Sequence, residues 1–308
     1  MKKKKHNSKL IEKEQPKNSQ YLFPEMVPKK KASSAKIHPK NKLNELTGKE
    51  WVQFSKSWFL FNALASDLKE ERTITKGQTA AHPATFSPTM ISEFIRFFTK
   101  KGQTVLDPFV GIGSTLVACD RTGRSGIGIE LNPKYAKIAK MRTKQQVIIG
   151  NARNISKMNL PLIDYSITSP PYWNVLHRST RDFKERREKN HYDTKYSEDI
   201  ADLGNIEDYN QFIEEIFQIY KQIYSILKDK GYITLIIKNV KKQGKIYPLA
   251  WDLAKKLGEL YILKDEKIWI QDKVRLAPYG YPYGWVSNII HHYCLILRKD
   301  EKSKKAPK

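Results

Sequence analysis

Hydrophobic residues along this chain arrive in short blocks separated by polar, glycine- and proline-rich turns. Gly102–Thr115 reads as turn, strand, glycine loop and helix start. Further apolar runs at Gly126–Ile129, Val147–Ile149, Leu162–Ile167, Tyr232–Ile237, Ile268–Ile270 and His292–Leu297 carry the mark of buried strands. Between them lie segments of helical period: Leu116–Cys119, the stretch opened by Asn132-Pro133, Asp208–Leu227 and Tyr247–Leu257. Seven strands alternating with helices predict a doubly wound, mostly parallel α/β sheet of the Rossmann-like kind. Upstream, Met90–Phe98 reads as an amphipathic helix. Trp51, Phe54, Trp58, Phe59 and Phe61 recur at near-helical spacing behind Thr47 and Glu50, a capping-box pair, and predict a helix whose aromatic stripe packs as core.

The pattern divides the chain into a Lys-, Ser-, Asn- and Pro-rich tail over 1–45, expected to be disordered, and a helical segment over 46–80. An α/β domain over 81–300 and a basic end over 301–308 follow. Residues 173–205 are polar, dense in both charges, and too long to be a mere connection. Formal net charge is +24, from 56 Lys and Arg against 32 Asp and Glu. Residues 1–50 hold 14 Lys and 5 Glu, so +15 of that charge belongs to the body. Such an excess favours a polyanionic partner, most simply nucleic acid.

Only two cysteines occur, Cys119 and Cys294, both within predicted elements, where they read as small core residues. Neither a disulfide framework nor a zinc site is expected, and a reducing cytoplasm is the natural compartment. His177, His191, His291 and His292 have no cysteine or carboxylate cluster beside them, so no metal site is expected. No apolar run approaches the roughly 18 residues of a membrane span, and the basic start Met1–Lys5 has no apolar core behind it.

Two motifs carry the chemistry. In the first, Gly111 and Gly113 stand between a strand ending at Asp107 and a helix, where glycines let a ligand approach the backbone. Glu130 terminates the next strand, where an acid can accept both ribose hydroxyls of a nucleoside cofactor. A pyrophosphate binder wants a third glycine, and that position is Leu116, which favours a nucleoside without a pyrophosphate. The second motif is Ser169-Pro170-Pro171-Tyr172, where two prolines force the chain out of the sheet at a strand's carboxyl end.

Asp107-Pro108-Phe109-Val110-Gly111-Ile112-Gly113-Ser114 together with Thr168-Ser169-Pro170-Pro171-Tyr172 resembles the S-adenosylmethionine-dependent DNA amino-methyltransferases, most nearly the cytosine-N4 enzymes with Ser-Pro-Pro-Tyr. The likeness covers about residues 80–300. It implies S-adenosyl-L-methionine as cofactor, with Asp107 to Ser114 forming its loop and Phe109, Gly111 and Gly113 at its methionine end. Glu130 would hold the ribose, Asn151 and Ala152 would flank the adenine, and the loop His82–Pro88, with His82, Pro83 and Phe86, would close over it. Many members carry Asp where this chain has Asn151.

An exocyclic amino group is a poor nucleophile because its lone pair is conjugated into the base. Acceptors aimed at its N–H bonds localise that pair for in-line attack on a sulfonium methyl. Ser169 Oγ is one acceptor, the Pro170 carbonyl held by Pro171 a second, and Tyr172 a face on which an extruded base stacks. Ser169 has no histidine beside it and is not expected to be a covalent nucleophile; attack on base carbon would want a cysteine.

Target reading is expected from the insert, whose Arg178, Arg181, Lys184, Arg186 and Arg187 can meet guanine edges or phosphates of duplex DNA. The loop Tyr279–Trp285, with Lys273 and Arg275, would form the opposite wall. The expected activity is cytosine-N4 methylation within a short DNA sequence, in restriction–modification beside a cognate endonuclease. Adenine-N6 methylation, RNA methylation and a non-catalytic DNA-binding role are the alternatives.

Overall fold

The computed structural model describes residues 36–61, 86–174 and 201–301, except 243, 273, 275 and 279. Its first element, α1 (Gly48–Phe54), starts on the expected capping box: Thr47 Oγ1 accepts from the Glu50 amide, and the Glu50 carboxylate accepts from the Thr47 amide at 2.8 Å. The helix stops there, because Ser55 bonds back to the Val52 carbonyl and the buried Lys267 ammonium donates to the Phe54 and Lys56 carbonyls.

The single helix expected through Phe61 is therefore corrected. Trp58–Leu60 is a strand, β1, lying parallel to β9 (Ile262–Ile270). Phe54, Phe59 and Phe61 are core, whereas Trp51 and Trp58 are 38% and 47% exposed.

After α2 (Pro88–Phe98), capped by Ser87, come β2 (Thr104–Asp107), α3 (Ser114–Thr122), β3 (Ser125–Glu130), α4 (Pro133–Arg142), β4 (Gln146–Ile149) and β5 (Ile163–Thr168). Then follow α5 (Tyr209–Ile226), β6 (Leu227–Ile237), a hairpin β7 (Val240–Lys242) and β8 (Lys245–Tyr247), α6 (Leu249–Leu257), β9, and β10 (His291–Arg298). The main sheet has eight strands among the described residues, ordered β1-β9-β10-β6-β5-β2-β3-β4, rather than seven. Only β10 runs antiparallel to its neighbours. The hairpin replaces the first turn of the helix expected from Tyr247; Pro248 sits at that helix's N-cap instead.

One face of the sheet packs α1, α2 and α3 through Phe54, Phe94, Ile95, Ala118 and Tyr165. The other packs α5 and α6 through Phe212, Ile216, Leu253 and Leu257. Full burial of each Phe, Ile and Leu side chain among these contributes about 1.5–3 kcal/mol, which fastens both helix layers to the sheet. The chain leaves β2 toward β3 and β4, and β5 toward β6 and β10, so strand order reverses between β2 and β5. A crevice opens at the carboxyl ends of such a pair. No helix among the described residues is long and apolar enough to cross a membrane.

Candidate active site

The crevice at the β2–β5 reversal is a real cavity. Its wall includes Asp107, Phe109, Gly111, Glu130, Asn151 and Ser169. From the expected set, Phe86, Ser114, Ala152, Pro170 and Pro171 line it too. Gly113 and Tyr172, also expected at the site, do not line the cavity. His82 and Pro83 lie outside the described residues, as do Arg178, Arg181, Lys184, Arg186, Arg187 and His177 and His191.

The glycine loop owes its shape to two residues with positive φ. Gly111, at φ 55°, aims its amide at Glu130, whose Oε2 accepts at 2.8 Å. Gly113, at φ 89°, caps α3, and a Cβ there would stand 3.0 Å from the Ala139 Cβ. Glu130 Oε1 accepts from the Asn132 amide at 2.8 Å. Each carboxylate oxygen therefore keeps a lone pair for a ligand hydroxyl. Burial pushes the Glu130 carboxyl up to about 7 against the lowering effect of those two amides, with Asp107 and Asp202 adding to the rise.

Asp107 joins the two motifs. Its Oδ2 accepts from Thr115 Oγ1 at 2.5 Å, and its Oδ1 accepts from Thr168 Oγ1 at 2.5 Å and the Phe109 amide at 3.0 Å. The glycine loop, α3 and the end of β5 are thus bolted to one buried carboxyl, one residue before Ser169. Burial raises its pKa to about 6 despite those three hydrogen bonds. Thr168 was named only as the first residue of the second motif and Thr115 only as the start of a helix, so neither bond to Asp107 was foreseen.

Asn151 lines the cavity and also accepts from the Arg153 amide at 2.9 Å, capping the 3-10 turn Ala152–Lys157. Aspartate would offer the same capping oxygen as asparagine.

On the other side, Ser169 Oγ donates to Tyr172 Oη at 2.8 Å. The hydroxyl's lone pairs stay available for N–H donors. Trp173 then turns the chain at φ 53°, a left-handed conformation costly for an aromatic residue. It is held there by its neighbours: the ring packs on Tyr209 and Tyr247, with the Lys242 ammonium 3.6 Å from its centroid. Trp173 is buried in the core, so this end of the insert is an anchor. The other end is as well: Ala201, Asp202 and Leu203 return to line the cavity. Arg153 ties this return to α5, bonding the Ala201 carbonyl and pairing with Glu215 at 2.6 Å. Asp202 was missed because only the chain's return from 174 to 201 brings it to the cavity.

His292 is buried nearby, its ring stacked on Trp269 at 4.4 Å and 6.0 Å from the Tyr172 ring. Burial, with Lys238 and His291 nearby, holds it well below the usual histidine range, hence neutral. Cys119 and Cys294 are fully buried, with thiol pKa values raised by burial, and neither reaches the cavity.

The family described as DNA methylase matches residues 1–141, ending before Ser169. The type II methyltransferase M.MjaII of Methanocaldococcus jannaschii is 26% identical over 59% of this chain and 34% of its own length. M.Cfr9I of Citrobacter freundii is 48% identical over 21% of this chain and 22% of its own. M.BglI of Bacillus subtilis is 28% identical over 41% and 32%. The chain thus spans about a third or less of the length of these curated relatives. Among solved structures, TrmN from Thermus thermophilus aligns at TM-score 0.48 and 14% identity, over 75% of this chain and 53% of that one.

Proposed function

We propose that the chain is an amino-methyltransferase of the DNA methylase family whose model matches residues 1–141, and that it methylates the N4 amino group of cytosine in duplex DNA. The observation that carries the reading is the Asp107 bolt: it fixes an amino-group acceptor, Ser169, beside a loop shaped for a nucleoside cofactor.

S-adenosylmethionine supplies an electrophilic methyl when bound. The cavity fits it: Gly111 and Gly113 clear the backbone, Glu130 keeps lone pairs for ribose hydroxyls, and Asn151 and Ala152 flank the far end. Two buried carboxyls with raised pKa values ionise more readily beside a cation, which favours a sulfonium ligand. The protein's own part is to hold the amine. Ser169, oriented by its bond to Tyr172, accepts one amino N–H, and the Pro170 carbonyl accepts the other. Tyr172 stacks on the extruded base, and the proton leaves the methylated nitrogen to solvent.

Serine, rather than an acid or amide, before Pro-Pro-Tyr supports cytosine, and the type II names of the relatives support a role in modification alongside an endonuclease. Arg178, Arg181, Lys184, Arg186 and Arg187 are the proposed contacts to DNA. Incubation with duplex DNA and labelled cofactor, then nucleoside mass spectrometry, is expected to show N4-methylcytosine. N6-methyladenine would replace the cytosine reading, and no labelled nucleic acid despite cofactor binding would overturn the enzyme.

A further inference from the structure

Two segments at the carboxyl edge of the sheet present exposed faces that the site described above does not use, although Lys242 and Tyr247 of the first also pack on Trp173. One is the hairpin β7–β8, which leaves the end of β6 beside β5. The other is the excursion between β9 and β10, which rises from the same edge because β9 runs parallel to β6. The excursion is closed at its neck: the Asn288 amide group exchanges two hydrogen bonds with the Ala277 backbone, at 3.0 and 2.8 Å. The Gly284 amide closes its tip on the Gly280 carbonyl at 2.8 Å. From this braced loop Tyr281, Tyr283 and Trp285 point outward, 80%, 98% and 88% exposed. Lys241 of the hairpin donates to Ser287 Oγ at 2.9 Å, so the two segments form one surface.

Large apolar groups this exposed on a braced loop mark an interaction surface. Its charge selects the partner. Residues 232–251 contain Lys238, Lys241, Lys242 and Lys245 and no acid, and residues 273–299 contain no acid either. The surface is also continuous with the site, since His292, at the foot of the loop, faces Tyr172. Phosphates beside stacked bases satisfy both the cations and the aromatic rings.

Building on the methyltransferase reading, we infer that this surface seats the duplex around the extruded base. Lys241 and Lys245 hold phosphates, and Tyr283 and Trp285 stack on the bases left unpaired in the duplex. This task is distinct from holding the target base itself.

The test compares wild type with Tyr283→Ala/Trp285→Ala on two duplexes, one fully paired and one with the target base opposite an abasic site. The aromatic variant is expected to lose about ten-fold or more in kcat/KM on the paired duplex and under about three-fold on the other, because unpairing no longer has to be stabilised. Its melting temperature and affinity for S-adenosylhomocysteine should be unchanged. Lys241→Gln/Lys245→Gln should lose equally on both duplexes and lower the salt slope by about two. Equal losses by the aromatic variant on both duplexes, or none, would overturn the stacking role. Concentration-dependent dimerisation abolished by the same variant, with DNA kinetics intact, would assign the surface to self-association instead. If wild type methylates neither duplex, the enzyme reading fails. The surface is then judged by emission alone: quenching by duplex that is absent in Trp285→Phe supports it, and no quenching overturns it.

Discussion

The two halves of the crevice are built differently. The half from Asp107 to Glu130 is made of residues close in sequence, and its shape follows from two positive-φ glycines and backbone amides. The half that begins at Ser169 borrows its supports from afar: Asp107, Tyr209, Lys242, Tyr247, Ala201 and His292 all come from other elements. A locally determined half tolerates substitution elsewhere in the fold. A half assembled over long range is sensitive to its supports as much as to its reacting groups.

The Asp107 bolt is where the halves depend on each other, and breaking it should have the largest effect. Asp107→Ala leaves Thr115 and Thr168 hydroxyls buried without their acceptor, at roughly 1–3 kcal/mol each, and frees β5 from the loop. Turnover should fall by about a thousand-fold or more and thermal stability with it; calorimetry beside a methyl-transfer assay checks both. Retained turnover would detach the two halves.

Trp173→Ala should come next. It removes a buried ring that holds a strained backbone, costing about 3–5 kcal/mol of stability, and lowers turnover on DNA more than cofactor affinity. Gly113→Ala strikes the local half: strain at φ 89° and the approach to Ala139 should cost about 1–3 kcal/mol. There the loss should appear in cofactor affinity, so a titration of each variant separates the halves. Equal effects from the two substitutions would erase the distinction.

The smallest effect is on pH. Asp107 and Glu130 hold protons more tightly folded than unfolded, with values near 6 and 7 against ordinary values of 3.8 and 4.5. Their contribution to apo stability is present below about pH 4 and lost as pH rises through 6 and 7. A cationic ligand favours the ionised forms, so cofactor affinity should rise several-fold across that window with release of protons. Calorimetry in buffers of different ionisation enthalpy measures the release, and zero release would contradict the raised values.

The same contrast governs what could be read from the chain. Asp107, Gly111 and Glu130 were legible because a turn, two glycines and a strand-terminal acid are local signals, and the structure brings them to one cavity. The strand Trp58–Leu60 was not, since its near-helical spacing mimics a helix and only pairing with β9 makes it a strand. The hairpin Val240–Tyr247 was missed because each strand is three residues long, too short for a period. Thr115 carries no local signal of its bond to Asp107, Thr168 was visible only as the first residue of the second motif, and Asp202 reaches the cavity only through the fold. Ser169 and Tyr172 were visible as a motif, but the hydrogen bond joining them was not.

Ser169 is proposed to orient an amino group rather than to bind cofactor or attack the base. Single-turnover methyl transfer by Ser169→Ala, beside a cofactor titration, tests it most directly. The predicted result is cofactor affinity unchanged within about two-fold and a transfer rate lowered by about a hundred-fold or more. An unchanged transfer rate would remove Ser169 from the chemistry.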